Sequence, residues 1–275
     1  MIEKNIHQIW MQGRNEVPEK LKPNMKRIMD MHISDASSVG GEWRYVFWDE
    51  DKIVGLIKEN EIWYSKYISF PYLHQKVDFA KLIILYRFGG IFIDMDAYTH
   101  QPLDSLFHKY ADKDFVVSKI KKISNIANYM TCGDSNFCIN NGIYMGKSGA
   151  DILRYLIINM IEKPECGYYQ HRVSCIIHTT GPLTFDSLIK RYINDFSIPE
   201  KSRVAILSYD VMEPCIYDNC DITDDTYLVH KHENTWIGDT TQNVMRCYAK
   251  YTNIAHFLMF AIIILLFVIL IRRMR

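Results

Sequence analysis

Asp78-Phe79-Ala80-Lys81-Leu82-Ile83-Ile84-Leu85-Tyr86-Arg87-Phe88-Gly89-Gly90-Ile91-Phe92-Ile93-Asp94-Met95-Asp96 is the stretch on which the fold reading turns. Gln75 to Phe88 predicts an apolar helix, which Gly89-Gly90 stops at the position where glycine commonly ends a helix. Ile91 to Ile93 then predicts a short buried strand. Side chains two apart in an extended segment point the same way, so Asp94 and Asp96 aim two carboxylates at one point beyond the strand. Such an oxygen-rich pair suits Mg²⁺ or Mn²⁺. A divalent ion held there could neutralise a departing diphosphate. Asp78 and Lys81 are three apart and share a helix face. Charges in so apolar a helix need partners or a cleft. A mutual salt bridge and a grip on sugar hydroxyls both satisfy that need.

Outward from this stretch, strands and helices alternate. Lys4 to Trp10 predicts a buried strand and Pro23 to Met31 a helix with proline in its first turn. Trp43 to Trp48 alternates as a strand, with a helix from Asp49 or Glu50 to about Glu59. Further strands are predicted at Phe115 to Ser118, Gly142 to Met145 and Val204 to Leu207. Helices follow at Gly149 to Ile161 and Leu183 to Ile193. The alternation implies an α/β fold with a mostly parallel sheet flanked by helices. In such sheets ligands bind beyond the carboxyl ends of the strands, where Asp94 and Asp96 fall.

The chain has 275 residues, with 32 Lys plus Arg against 32 Asp plus Glu. That balance, with no basic stripe, argues against a nucleic-acid partner. Residues 1–250 read as one catalytic domain without an internal repeat. Glu3 and Lys4 sit where an apolar signal core would lie, so no signal peptide is expected at this N-terminus. Ile254 to Ile271 is an apolar run of about 18 residues, just long enough for a C-terminal transmembrane helix. It predicts a single-pass anchor in an endomembrane or similar bilayer. Seven cysteines without a Cys-x-x-Cys pair suit mostly reduced thiols, with room for one or two disulfides, which favours a cytosolic domain. The tail of Arg272, Arg273 and Arg275 pulls the other way.

The chain resembles the DXD-containing sugar transferases of glycosyltransferase family 32 over most of residues 4–238. The resemblance rests on Ile6-His7-Gln8-Ile9-Trp10, Trp43 to Asp49, Asp78 to Tyr86 and Gly89 to Asp96. It continues through Asn140-Asn141-Gly142, Thr179-Thr180-Gly181-Pro182 and His230 to Trp236. It implies a GT-A type fold and a metal-dependent, retaining transfer of a hexose from a UDP- or GDP-sugar. The acceptor would be a hydroxyl on a glycan, a glycolipid or a membrane glycoprotein.

By the same resemblance Ile9 and Trp10 form the nucleobase wall, Asp78 binds the donor sugar and Asn141 faces the transferred sugar. Asp94 is the ribose-side carboxylate that reaches towards the metal, and Asp96 is the direct metal ligand. Lys81 stands where the family usually has arginine, which exchanges a planar fork for a point charge. His230, and second to it His232, is a candidate for the metal or the diphosphate. Trp236 could donate its indole N–H to a phosphate. Two other readings stay open: a phosphatase of the haloacid dehalogenase class, and a membrane-anchored scaffold on a decayed transferase fold. The phosphatase pattern wants Thr or Val two places after the second aspartate, where this chain has Tyr98.

Overall fold

The computed structural model describes residues 1–33, 43–122, 132–134, 136–167, 170–195, 199–216, 219–233 and Ile262. The chain divides into two compact units. One is Met1–Lys121 with Phe137–Glu233, and the other is Lys122–Asn136 with Asn234–Arg275. In the second, the Asn136 backbone N–H donates to Asp134 Oδ1 at 2.7 Å. The strands and helices that follow belong to the first unit.

The strands of its main sheet are β1 Asn5–Ile9, β2 Arg44–Trp48, β3 Gly90–Ile93, β5 Phe115–Lys119, β6 Ile139–Gly146 and β7 Val204–Leu207. Their order in space is β2-β1-β3-β6-β5-β7. β1 pairs parallel with β2 and β3, and β5 pairs parallel with β7. β6 runs antiparallel to both β3 and β5, so the sheet is mostly parallel as expected, with β6 as its one reversed strand among the six. A second, two-stranded sheet pairs β4 (Ala97–Thr99) with β10 (Leu228–His230) antiparallel. Two further short strands, β8 Cys215–Ile216 and β9 Asn219–Cys220, form a hairpin.

The helices are α1 Lys22–His32, α2 Glu50–Ile57, α3 Glu61–Ser69, α4 Leu73–Phe88 and α5 Asp104–Lys109. They continue with α6 Asp151–Ile161, α7 Arg172–Thr179, α8 Pro182–Asn194 and α9 Tyr209–Met212. Asp49 caps α2, accepting from the Lys52 backbone N–H at 3.0 Å, and Asn60 caps α3 through the Trp63 N–H at 3.0 Å. Sequence periodicity missed α3, whose run Trp63-Tyr64-Ser65-Lys66-Tyr67 has a weak helical pattern.

Strand alternation divides the core between the two faces of the sheet. Phe92, Val117 and Tyr144 point to one face, where they join buried residues of α2, α4, α6 and α8. Ile91, Ile93, Val116, Ile143 and Met145 point to the other, against Ile28 of α1, Leu106 and Phe107 of α5 and Met212 of α9. At the centre lies α4, with Phe79, Leu82, Ile83, Ile84 and Leu85 wholly buried. Its last carbonyls are held by β1. Asn5 Nδ2 donates to Phe88 O at 2.8 Å, and His7 Nε2 to Gly89 O at 2.8 Å. Gly90 follows with φ 111°, and a Cβ there would lie 2.3 Å from Asn5 O. This seam lets α4 and β3 adjoin with almost no connecting loop.

Among the described residues no helix is long and apolar enough to cross a membrane. The span expected at Ile254 to Ile271 lies, Ile262 aside, outside the described residues. The cysteine reading is corrected. Cys166–Cys175 and Cys215–Cys220 are disulfide-bonded, with Cα–Cα separations of 5.5 and 3.9 Å.

Candidate active site

The site sits where β3 ends. Asp94 to Asp96 is a turn rather than an extension of the strand, closed by the Ala97 N–H on Asp94 O at 3.0 Å. The two carboxylates therefore converge through a turn and not through strand alternation. His230 meets them, because β10 pairs with β4 and sets His230 opposite Ala97. Asp94, Asp96 and His230 each offer a ligand atom within 4.8 Å of the others.

β6 supplies the far wall. Its antiparallel course brings Gly142 O to the Asp94 N–H at 3.0 Å. A Cβ on Gly142 would lie 2.3 Å from His230 Cε1 and 2.9 Å from Asp94 Oδ2, so only glycine leaves room for both side chains. Next to it Asn141 sits within the strand, and its Nδ2 donates to Asp78 Oδ1 at 2.9 Å. Asp78 also accepts from Thr180 Oγ1 at 3.3 Å. Thr180 precedes Gly181, the N-cap of α8, and Pro182 opens that helix.

Lys81 links the two acidic groups. Its Nζ is 2.8 Å from Asp94 Oδ1 and 3.5 Å from Asp78 Oδ1, and it donates to Asn141 O at 3.3 Å. The ion pair between residues 78 and 81 is thus real, and it is shared with Asp94. Burial drives the Asp78 carboxyl up to about 7 against the pull of Lys81, with the Asp94 charge adding to the rise. Burial also raises Asp94, which Lys81 opposes.

Asp96 behaves differently. Burial alone would raise its carboxyl, but His230 beside it holds it well below the usual carboxylate range. His230 Nε2 is 3.1 Å from Asp96 Oδ1, and the Glu233 backbone N–H donates to Asp96 Oδ2 at 2.8 Å. His230 itself is raised well above its ordinary value despite burial, because Glu213 and Asp96 flank it.

Glu213 is the residue that the sequence reading missed. Its side chain is 1% exposed, and its oxygens lie 3.1 and 3.0 Å from His230 Nδ1. The signal available was a charge set between apolar Met212 and Pro214-Cys215, which demands a buried partner. His232 stands on the other side of Glu213. Its Nε2 is 2.9 Å from Glu213 Oε2, and with Glu213 and His230 it forms a second group whose ligand atoms lie within 4.8 Å of one another.

Ile9 is buried at the end of β1, and Trp10 is partly buried beside a small cluster containing Phe47 and Met95. The indole Nε1 of Trp10 is buried without a hydrogen-bond partner among the described residues, which fits a donor kept for something else. Trp236 lies outside the described residues.

Two carboxylates and one imidazole form a hard, mostly oxygen donor set, which fits Mg²⁺ or Mn²⁺. In the protein alone, charged Lys81 and His230 stand against these carboxylates and offset their negative charge.

Residues 18–119 match the glycosyltransferase sugar-binding region containing DXD motif. That match takes in Asp78, Lys81, Asp94 and Asp96. The chain is 25% identical to an uncharacterised glycosyltransferase of Acanthamoeba polyphaga mimivirus over 242 residues, covering 86% of this chain and 84% of that one. Inositol phosphoceramide mannosyltransferase 3 of Schizosaccharomyces pombe is 33% identical over 108 residues, covering 39% of this chain and 28% of that enzyme. The chain thus matches under a third of that enzyme's length. The apo structure of mouse xyloside xylosyltransferase 1 is similar with a TM-score of 0.48 and 12% identity, over 86% of this chain and 100% of that one. The family match and the two relatives favour neither the phosphatase nor the scaffold reading. With the DXD turn and its partners in place, residues 18–119 are a glycosyltransferase sugar-binding region of the DXD type.

Proposed function

We propose that the protein is a metal-dependent, retaining hexosyltransferase of GT-A type. It takes a hexose from a UDP- or GDP-sugar and delivers it to a hydroxyl of a glycan or glycolipid. The observation that carries this reading is the convergence of Asp94, Asp96 and His230 within 4.8 Å at the end of β3. Mannose is favoured among hexoses by the yeast relative's name alone.

Asp94, Asp96 and His230 would hold Mn²⁺ or Mg²⁺. The ion, when bound, supplies positive charge for the leaving nucleoside diphosphate. Asp78 and Asn141, joined by a hydrogen bond, form the sugar-side wall. Lys81 keeps Asp94 and Asp78 in place from beneath. Trp10 would line the nucleobase, with its ring for stacking and its indole N–H for a polar contact. Positioning and leaving-group stabilisation carry the rate, and no nucleophile is assigned, since front-face attack by the acceptor needs none.

Ile254 to Ile271 is proposed as the membrane anchor, placing a membrane-borne acceptor within reach. The two bridged cysteine pairs weigh against the cytosolic side. Together with the arginine tail they favour a domain on the oxidising side of the bilayer.

The test is a thermal-shift series with UDP- and GDP-hexoses, with and without Mn²⁺, on wild type and Asp96→Ala. Wild type is expected to be stabilised by one donor class only when Mn²⁺ is present, and Asp96→Ala by none. If no nucleotide sugar stabilises wild type, the reading fails.

A further inference from the structure

Glu213 is among the most enclosed charged groups in the first unit, yet nothing in the chemistry above uses it directly. Among the described residues its side chain contacts two histidine rings. Both oxygens lie about His230 Nδ1, at 3.1 and 3.0 Å, and Oε2 lies 2.9 Å from His232 Nε2. The two rings lie against each other with centroids 4.0 Å apart. His232 has φ 51°, a backbone conformation uncommon outside glycine, and Glu213 anchors the side chain that adopts it.

An imidazole has two nitrogens, and the hydrogen bond made by one decides what the other can do. His230 Nδ1 is taken by Glu213. Nε2 faces Asp96 Oδ1 at 3.1 Å. The ring edge at Cε1 lies over Gly142, which limits rotation of the ring. Metal-binding histidines are commonly oriented by a carboxylate behind them in this way.

We infer that Glu213 is a positioning residue: it accepts the Nδ1–H of His230 and so presents Nε2 to the ion held by Asp94 and Asp96. His232 is the brace on the other side of the same carboxylate rather than a ligand. The inference rests on the metal site proposed above. It predicts that the local sequence around Glu213 matters for metal affinity although Glu213 never touches the ion. α9 and β10 deliver the two partners together. The Tyr227 N–H donates to Val211 O at 2.8 Å, and Thr226 Oγ1 donates to Asp210 O at 2.7 Å.

The experiment measures Mn²⁺ affinity of the full chain without donor, by the electron paramagnetic signal of free Mn²⁺. The proteins compared are wild type, Glu213→Gln, Glu213→Asp and Asp96→Asn. Asp96→Asn should abolish binding; if it binds as wild type does, the site reading itself is at fault. With that control in place, Glu213→Gln should weaken Mn²⁺ binding about 10- to 100-fold, with Glu213→Asp recovering part of the loss. Unchanged affinity in Glu213→Gln would make Glu213 merely structural and overturn the inference. Complete loss in both Glu213 variants, with folding intact, would make it a direct ligand and overturn it equally. Nitrogen-15 histidine spectra of the Mg²⁺-saturated wild type need no variant to fold. They should show His230 protonated at Nδ1, and protonation at Nε2 would refute the assignment.

Discussion

Asp78 is a carboxylate that folding holds in an unfavourable place, with Lys81, Asn141 and Thr180 as its compensation. Its folded pKa of about 7 lies above the value of roughly 3.9 for an exposed aspartate. Between those two values the folded chain keeps a proton that the unfolded chain has lost. The stability tied to that proton is full below about pH 4 and is lost as pH rises through about 7. Asp78→Asn keeps the shape and removes the titration. Urea denaturation across this window should therefore show wild type losing ground to Asp78→Asn as pH rises. A difference that does not change with pH would mean that Asp78 is ionised throughout, with Lys81 winning over burial. At this scale the sequence displayed Asp78, Lys81, Asp94 and Asp96, because charges in apolar runs stand out. Glu213 was not legible as part of the site: its apolar neighbours mark a buried charge, but its two partners lie 17 and 19 positions away.

Helix α4 and strand β3 are separated by a single residue, Gly89, which ends the helix with φ 60°. The junction works because β1 receives it, and β1 can approach only because Gly90 has no side chain. Gly90→Ala would meet Asn5 O and also require φ near 111°. The backbone strain alone is of order 1–3 kcal/mol, and the contact adds to it. Chemical denaturation should show a loss of at least that size, and a neutral result would mean that β1 can move away from the seam at no expense. The helix and strand were readable from local composition for that reason: a long apolar run, two glycines, a short apolar run. The direction of β6 was not, because a buried strand has the same pattern in either direction. What reverses it is its placement between β3 and β5, a long-range fact. The β4–β10 pairing that delivers His230 is equally non-local, joining positions about 130 residues apart.

At the scale of the whole molecule the open matter is where this domain works. Cysteine count and spacing suggested free thiols, since spacing says nothing about which sulfurs meet in space. The fold brings Cys166 to Cys175 beside Gln75, whose Nε2 also donates to Thr179 Oγ1 at 2.7 Å. Thr180, the next residue, holds Asp78, so this bridge braces the sugar-side wall. Cys215–Cys220 closes the hairpin two residues after Glu213. Bridges at both ends of the site fit an oxidising compartment. They agree with Arg272, Arg273 and Arg275 remaining on the cytosolic side of a span at Ile254 to Ile271. Expressed in eukaryotic cells, the full chain should fractionate with membranes, and a chain shortened before Ile254 should not. In sealed microsomes, added protease should spare the domain, and Cys166, Cys175, Cys215 and Cys220 should resist alkylation in denaturant until a reductant is added. Digestion of the domain in intact microsomes, with those four thiols freely alkylated, would return it to the cytosolic side. A shortened chain that still sediments with membranes would move the anchor elsewhere and leave the assignment of the bridges untouched.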